Sequence, residues 1–328
     1  MMKFNRFFAT TLSLSITFCA SLNAYDVDIL TQYRNNGIQN IAKTLDKKLT
    51  QEKYWNHYLQ NIDTTFGYIE KYENILICDK SQSILSLYQK ENSTYKLKKT
   101  YNAFTGKMKG DKHEEGDLKT PVGIYSLTKK ISNLDSFYGP MAFVTSYPNL
   151  YDKYKDKTGK GIWIHGLPTD KQRDEFTKGC IAINNKSIEC LNKDIDINKT
   201  VLIINEDGIK QNINKTTLAS ILTQLYTWRY AWTYNELDKY LNFYDESFER
   251  FDGMNKKEFT HYKTRVFSKQ ERKTIIFTNI NVIPYPNEEN TFQVTFHEQY
   301  KSDSFTFAGD KVLIIKLTNN TMHILTEQ

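Results

Sequence analysis

Two short stretches decide the fold of this 328-residue chain: IWIHG at 162–166 and TKGCIAI at 177–183. Each is a run of apolar residues with a reactive side chain at one end, because His165 ends the first run and Cys180 begins the second. Such runs are typical of buried β-strands. Neighbouring strands would bring these two ends together, and the polar segment between them would fold over as a loop.

The two reactive side chains have the chemistry of a nucleophile and its base. A cysteine becomes nucleophilic at neutral pH beside a base or a cationic partner. Gly179 lets the backbone pass close to a ligand, and the N–H groups of Gly179 and Cys180 could face a developing oxyanion. Gly166 permits an unusual backbone conformation, and its carbonyl could orient the imidazole of His165. Taken alone, either side chain would be structural; together, we interpret them as catalytic.

A β-rich domain surrounds this pair. Strand-like runs separated by turn residues occur at 75–78, 84–88, 95–104, 141–147, 161–165, 180–183 and 201–204. Asn184 or Asn185 can cap a short helix that follows the cysteine. We expect this domain to cover residues 74–206.

The same residues resemble the YkuD family, the L,D-transpeptidase catalytic domain. Its hallmark is a histidine-glycine pair, a spacer, then Ser or Thr, a variable residue, Gly, Cys and an apolar residue. The stretch GDLKTPVGIY at 116–125 is similar to a second motif of the family. The resemblance implies that Cys180 is the nucleophile, that His165 is first base and then acid, and that the Gly166 carbonyl is the orienting third member. The residues that it suggests for oxyanion or substrate binding are Gly179, Thr177, Lys119, Thr120 and Ala182.

One position departs from the family pattern. Many L,D-transpeptidases have an arginine two residues after the cysteine, where it can anchor a substrate carboxylate, and this chain has Ala182. Lys119, Arg173 or Lys178 could supply the missing positive charge. The departure favours a carboxypeptidase over a transpeptidase.

The chain changes character after residue 208. Residues 218–251 are rich in aromatic side chains and predict long helices, and strand-like runs follow at 274–283, 291–300, 311–317 and 322–325. Helices followed by a curved antiparallel sheet make an α+β layout. The order of elements over 213–328 resembles the NTF2-like family, whose cone-shaped fold often has a pocket, here expected to bind a glycan or a stem-peptide fragment. Four aromatic side chains could line this pocket or pack as core: Trp228, Trp232, Tyr234 and Tyr244.

The N-terminus has the pattern of a signal peptide. Lys3 and Arg6 precede a mostly apolar run over 7–22, and the small residues at 21–24 offer a cleavage site. We expect residues 1–24 to direct export to the periplasm, with a membrane anchor as the alternative. Apolar residues at helical spacing then predict a helical segment over 25–73, which could form a homodimer.

The whole layout resembles the peptidoglycan L,D-carboxypeptidases that determine cell shape in helical epsilonproteobacteria. We therefore expect an α+β multidomain enzyme that cleaves the bond between meso-diaminopimelate and D-alanine in tetrapeptide stems through a thioester. One alternative is an L,D-transpeptidase that forms 3–3 crosslinks with the same site. Another is a wall-binding scaffold without catalysis.

Other classes of function are less well supported. The net charge of +6 is evenly spread, without the basic-aromatic clusters of nucleic-acid-binding modules. His57 and His113 have no second histidine at metal-ligand spacing, so we expect no metal and no cofactor. The absence of a C-x-x-C motif argues against a redox role for Cys180. A disulfide between Cys78 and Cys190 would leave Cys180 as a thiol, but the sequence does not establish that pairing.

Overall fold

The computed structural model describes residues 24–168, 176–208 and 213–328. The predicted signal peptide, up to residue 23, and Arg173 lie outside these ranges. The chain forms two compact units, divided after Lys47. The first contains most of helix α1 (Ala24–Leu49), which is interrupted at Gly37, where φ is 73° and ψ is 171°. Within the described ranges, no helix combines the length and apolar character needed to cross a bilayer.

The second unit begins with a segment that is only partly helical. Helix α2 covers Glu52–Tyr58, a 3-10 turn follows to Asn61, and Tyr68–Ile69 form a short strand, β1. The predicted helical segment over 25–73 is therefore wrong beyond residue 61. The reason is tertiary pairing: Tyr68 lies opposite Val282 of a strand near the C-terminus, so this apolar stretch is buried as a strand.

The middle of the chain forms a closed barrel. Its strands are β2 (Asn74–Asp79), β3 (Ile84–Glu91), β4 (Thr94–Phe104), β5 (Gly123–Ser132), β6 (Met141–Thr145), β7 (Trp163–His165), β8 (Ile181–Ile183) and β9 (Thr200–Asn205). Two helices lie among them, α3 (Leu150–Tyr154) and α4 (Asn185–Asp194). The strand order around the barrel is β2-β3-β4-β8-β7-β6-β5-β9, and the parallel pair β2·β9 closes it. The predicted β-rich domain is confirmed.

The C-terminal part has an α+β layout, as predicted. Its elements are α5 (Lys215–Thr233), α6 (Leu237–Leu241), α7 (Lys256–Ser268), β10 (Lys273–Pro284), β11 (Thr291–Ser302), β12 (Thr306–Thr318) and β13 (Thr321–Glu327). The antiparallel sheet has the order β1-β10-β11-β12-β13. The predicted helical stretch over 218–251 is too long at its end, since α6 stops at Leu241, and α7 lies beyond it.

The segment before the barrel completes this C-terminal domain. Trp55 and Leu59 belong to the same buried cluster as Leu222 and Trp228 of α5. The rings of Trp55 and Tyr226 lie 5.0 Å apart. Together with β1, these contacts show that the C-terminal domain is built from chain on both sides of the barrel.

The barrel and the five-stranded sheet share a packed interface. One buried cluster combines Ile75 and Ile203 of the barrel with Ile283 and Ile314 of the sheet. Tyr285 joins it from the sheet side, and its hydroxyl accepts a hydrogen bond from Asn149 Nδ2 at 3.0 Å.

Candidate active site

The strand register brings the two predicted reactive side chains to one face of the barrel wall. β7 and β8 are parallel neighbours, with Ile164 opposite Ile181 and His165 opposite Ala182. Ile164 and Ile181 pack in the barrel core, so His165 and Ala182 face the other way, because side chains alternate along a strand. Cys180 directly precedes β8, and by the same alternation it lies on the face of His165.

His165 is held in one tautomer. It is 1% exposed, and its Nδ1 lies 2.6 Å from Gly166 O. A carbonyl oxygen only accepts, so Nδ1 carries the proton and Nε2 is the basic nitrogen. The Tyr138 ring meets the imidazole edge-on, with centroids 5.1 Å apart. The predicted contact between the Gly166 carbonyl and the histidine is thus present in the structure.

Position 166 requires a glycine because there is no room for a Cβ, and not because of its backbone conformation. It is not among the residues with positive φ, so the prediction of an unusual backbone conformation there is wrong. A Cβ at this position would lie 2.4 Å from Asn185 Oδ1 and 2.8 Å from Pro140 Cδ. Any larger residue would have to displace one of these groups.

Hydrogen bonds within the loop before Cys180 fix its shape. Thr177 Oγ1 donates to Cys180 O at 2.7 Å and accepts from Gly179 N at 2.9 Å. Gly179 has a φ of 135°, and a Cβ there would lie 2.8 Å from Lys119 O. The Cys180 thiol is half-buried and lies 3.5 Å from Gly161 O. The Gly179 N–H, which we expected to face an oxyanion, thus has Thr177 Oγ1 as its partner in this structure.

Thr120 joins this loop to the GDLKTP stretch. Its Oγ1 donates to Gly179 O at 2.9 Å and accepts from Gly106 N at 2.8 Å. Thr120 and Ala182 are fully buried, and Thr177 is 3% exposed. In this structure the two threonines hold the cysteine loop and Ala182 is buried in the sheet; that these three residues contribute to substrate binding stays a prediction.

Asp117 folds the GDLKTP stretch. Its carboxylate accepts from the backbone N–H groups of His113 at 2.9 Å and Lys119 at 3.1 Å, and from Lys112 Nζ at 2.7 Å. Burial raises the pKa of Asp117, but Lys112 and the backbone donors outweigh it and hold that pKa well below its usual range. The motif aspartate therefore acts as a fixed anion that shapes the loop around Thr120.

A buried lysine that sequence reasoning missed supports the same stretch. Lys80 Nζ donates to Gly110 O at 2.6 Å and to Thr120 O at 2.9 Å, and it forms an ion pair with the Glu206 carboxylate. In the sequence Lys80 lies in a turn between two strand-like runs, and no local pattern indicates that three oxygens surround it.

Two lysines that could supply the missing positive charge lie among the described residues. Lys119 is half-buried and Lys178 is exposed. Lys107, which the sequence did not single out, donates its backbone N–H to Thr177 O at 3.1 Å, and its ammonium lies 5.0 Å from the centre of the Phe176 ring.

The other two thiols of the described chain lie apart from this site. Cys78 is buried in β2 and Cys190 is exposed on α4, and no disulfide joins them. Burial raises the pKa of the Cys78 thiol to about 12. Across residues 24–168, 176–208 and 213–328, no three His, Cys, Asp or Glu side chains are grouped to hold a metal ion.

The C-terminal domain contains a cavity of about 510 Å³. Its lining includes Trp232, Tyr262, Lys263, Glu298, Lys311 and Glu327. Of the aromatic residues proposed to line a pocket, Trp232 does so, whereas Trp228 and Tyr244 pack in the core, and Tyr234 packs against the Tyr230 ring at 4.5 Å.

Charges of both signs are buried in this cavity. Lys263 is 8% exposed, and its ammonium lies 4.8 Å from the Trp232 ring centre and 5.6 Å from that of Tyr262. Burial lowers the pKa of Lys263 to about 8. Burial also raises the pKa of Glu298, whose Oε2 is buried and has no hydrogen-bond partner within the described chain.

Known families match both domains. The YkuD family, described as the L,D-transpeptidase catalytic domain, matches residues 73–203. The Cds6 C-terminal NTF2-like domain matches residues 220–328. These matches confirm the families predicted for the two domains.

The relatives include one curated protein from Escherichia coli K12, the putative L,D-transpeptidase YafK. It is 33% identical over 112 residues, which are 34% of this chain and 42% of that protein, so the chain spans less than half the length of this relative.

Two solved structures resemble most of the chain. The helical cell shape determining protein Pgp2 from Campylobacter jejuni is 40% identical, with a TM-score of 0.78, over 85% of this chain and 100% of that chain. Bd1075 from Bdellovibrio bacteriovorus is 28% identical, with a TM-score of 0.65, over 81% and 97% of the two chains.

Proposed function

The chain belongs to the family of proteins that join a YkuD L,D-transpeptidase catalytic domain to a C-terminal NTF2-like domain, and on that premise we propose that it is a periplasmic peptidoglycan L,D-carboxypeptidase. It would trim tetrapeptide stems to tripeptides. The observation that supports this most is the 2.6 Å contact between His165 Nδ1 and Gly166 O. That contact leaves Nε2 as the base on the face where Cys180 lies.

The first half of the proposed reaction is acylation. His165 Nε2 takes the proton of the Cys180 thiol, and the thiolate attacks the carbonyl carbon of the meso-diaminopimelate residue. The C–N bond to D-alanine then breaks, and the leaving amine takes the proton from His165. Of the two amides expected to face the oxyanion, we assign Cys180 N–H, because Gly179 N–H donates to Thr177.

The second half is hydrolysis of the thioester. Water gives a proton to His165 Nε2 and attacks the thioester carbonyl, the C–S bond breaks, and the Cys180 thiolate recovers the proton. The product is the tripeptide stem. If the amine of another stem attacked in place of water, the same thioester would yield a 3–3 crosslink.

One observation favours hydrolysis over crosslinking. Ala182, which lies opposite His165 on β8, replaces an arginine that many L,D-transpeptidases have at this position. The resemblance to Pgp2, described as a helical cell shape determining protein, supports a role in the cell wall and is compatible with either reaction. We expect the terminal D-alanine carboxylate to be bound by a lysine near the loop, with Lys119 and Lys178 as the candidates.

A muropeptide digestion tests this function. Protein lacking residues 1–24 and its Cys180→Ala variant are incubated with disaccharide-tetrapeptide and with a tetra-tetra dimer, and the products are identified by mass. Disaccharide-tripeptide and free D-alanine, absent with the variant, are the expected products. New 3–3 dimers would instead identify a transpeptidase. No product from either substrate, with retained binding to sacculi, would favour a scaffold.

The cavity of the C-terminal domain is a proposed second contact with peptidoglycan. Its buried ammonium at Lys263 and carboxylates at Glu298 and Glu327 suit a ligand with both carboxylate and amine groups, which stem peptides have. Glu298 Oε2 has no hydrogen-bond partner among the described residues, and an unpaired buried acceptor is stabilised when a ligand donor reaches it.

Point variants test this contact better than deletion of residues 213–328, because that deletion would uncover the apolar side chains of α2 and β1. Calorimetric titration of Cys180→Ala protein with disaccharide-tripeptide measures the affinity. Lys263→Met is expected to weaken binding about tenfold, which corresponds to ~1.4 kcal/mol. Lys257→Met, at an exposed position of α7, is the matched control. Equal affinities for both variants would exclude the cavity.

Helix α1 is a proposed dimer contact. Leu30, Tyr33 and Ile38 are 57%, 54% and 65% exposed on it, and such side chains favour association of helices. Sedimentation of the mature chain, with and without residues 25–47, would reveal a dimer that depends on this helix; a monomer in both cases would remove the proposal.

A further inference from the structure

The peptide group between Gly166 and Leu167 is held at both ends. Its carbonyl oxygen lies 2.6 Å from His165 Nδ1, and its N–H donates to Asn185 Oδ1 at 2.7 Å. This peptide is not among the cis bonds, and in a planar trans peptide the C=O and N–H point in opposite directions. A bond that fixes the N–H therefore fixes the direction of the carbonyl that orients the imidazole.

Asn185 Oδ1 occupies a space that two glycines leave open. A Cβ on Gly166 would lie 2.4 Å from this oxygen, and a Cβ on Gly139 would lie 2.6 Å from it. The Gly166 N–H donates to Tyr138 O at 3.0 Å, so the backbone on the other side of Gly166 is also fixed. The amide oxygen is therefore packed against the peptide that it binds.

Helix capping does not explain the Asn185 side chain. Asn184 is the N-cap of α4, and its Oδ1 accepts from Lys186 N at 2.9 Å. Asn185 is the first residue of the helix, and its side chain is instead directed back to Leu167. The two adjacent asparagines thus have separate partners, one in the helix and one beside the histidine.

We propose that Asn185 is a positioning residue of the reaction, which it supports by holding the Leu167 N–H and so directing the Gly166 carbonyl at His165 Nδ1. The role rests on the proposed function, since it serves the histidine of that mechanism. The bond to Asn185 also polarises the peptide and makes the Gly166 oxygen a better acceptor. A better acceptor stabilises the imidazolium that forms when His165 takes the thiol proton.

Loss of the Asn185 oxygen should therefore disfavour the thiolate-imidazolium pair. The apparent pKa of the Cys180 thiol should rise, and its alkylation should slow more at pH 6–7 than at pH 9. The conservative variant Asn185→Asp keeps an acceptor oxygen, whereas Asn185→Leu removes it at similar volume. Asn184→Ala is the matched control, because it removes the helix cap and leaves the Leu167 contact.

The experiment measures two quantities for each variant in a Cys190→Ser background, because Cys190 is an exposed thiol. One is the rate of Cys180 alkylation by iodoacetamide from pH 5 to pH 10, read by peptide mass. The other is kcat and KM for disaccharide-tetrapeptide. Asn185→Ala replaces Asn185→Leu if the leucine variant does not fold.

For Asn185→Leu we expect an alkylation profile shifted upward by about one pH unit, which is a tenfold change in thiolate at low pH. We expect kcat to fall ~10- to 100-fold with KM nearly unchanged, and Asn185→Asp to recover most of it. An unchanged alkylation profile in Asn185→Leu would overturn the proposal, and so would an equal shift in Asn184→Ala. If wild-type protein does not act on muropeptides but the alkylation shift is present, the proposed function fails and the positioning role stands.

Discussion

The loop around Cys180 and the cavity of the C-terminal domain differ in whether their buried polar atoms have hydrogen-bond partners. Around this loop, the side-chain oxygens of Thr120, Thr177 and Asn185 are bound to backbone groups of Gly179, Cys180 and Leu167. In the cavity, Glu298 Oε2 has no partner within the described chain, and Lys263 lies among aromatic rings. Satisfied networks hold a fixed geometry, whereas unsatisfied buried charges favour a ligand. This difference agrees with the two proposals, catalysis at the first region and binding at the second.

The largest effect should come from replacing His165, the proposed base. His165→Gln keeps a side chain of similar polarity but removes the nitrogen that takes the thiol proton, so release of D-alanine should slow about 10³-fold. Initial rates with disaccharide-tetrapeptide measure this loss. His297→Gln, at a histidine bound to Asp310 in the C-terminal domain, should keep the wild-type rate. More than a tenth of the rate remaining in His165→Gln would mean that another group is the base.

The next effect concerns a bond that holds the loop. Thr120→Val preserves the shape of the side chain but leaves Gly106 N–H and Gly179 O without their hydroxyl partner. An unsatisfied buried group costs about 1–3 kcal/mol, so the free energy of unfolding should fall by that amount. The rate of D-alanine release should fall as well. Urea unfolding and D-alanine release are the two measurements.

Thr128→Val is the control for this change, because Thr128 is exposed and its hydroxyl donates to Val144 O at 3.3 Å. It should unfold like the wild type. Equal losses in the two variants would show that the loop does not depend on the Thr120 hydroxyl.

The sequence predicted the β-rich domain, the NTF2-like domain and the position of His165 and Cys180 at the ends of neighbouring strands, because strand patterns and local motifs encode them. It could not predict what Thr120 and Asn185 bind, because those partners are 59 and 18 residues away in the chain. For the same reason it missed Lys80 and read residues 62–73 as helix. β1 is a strand only because β10, about 210 residues later, pairs with it. Residues whose role lies in long-range hydrogen bonds have no local signature.

The smallest effect is a pH dependence of the free energy of unfolding, which we expect from the cavity of the C-terminal domain and not from the loop around Cys180. Burial lowers the pKa of Lys263 from 10.5 to about 8, so between these values the unfolded chain holds a proton that the folded chain has lost. The free energy of unfolding therefore rises with pH across this window. Relative to Lys263→Met, the wild type should gain about 1–2 kcal/mol between pH 8 and pH 10, less than the full shift implies, because the surrounding ring faces stabilise the ammonium.

Urea unfolding at pH 7, 8, 9 and 10, followed by tryptophan fluorescence, measures this difference. Subtracting the variant cancels the titration of the other lysines and tyrosines, which the two proteins share. A constant difference across the window would mean that Lys263 keeps an ordinary pKa, and the cavity would then resemble a solvated surface. A difference that grows with pH would show that the C-terminal domain retains a buried charge at a cost to its own stability. Around the loop of Cys180, the side-chain oxygens of Thr120, Thr177 and Asn185 all have backbone partners. We therefore expect no comparable cost there.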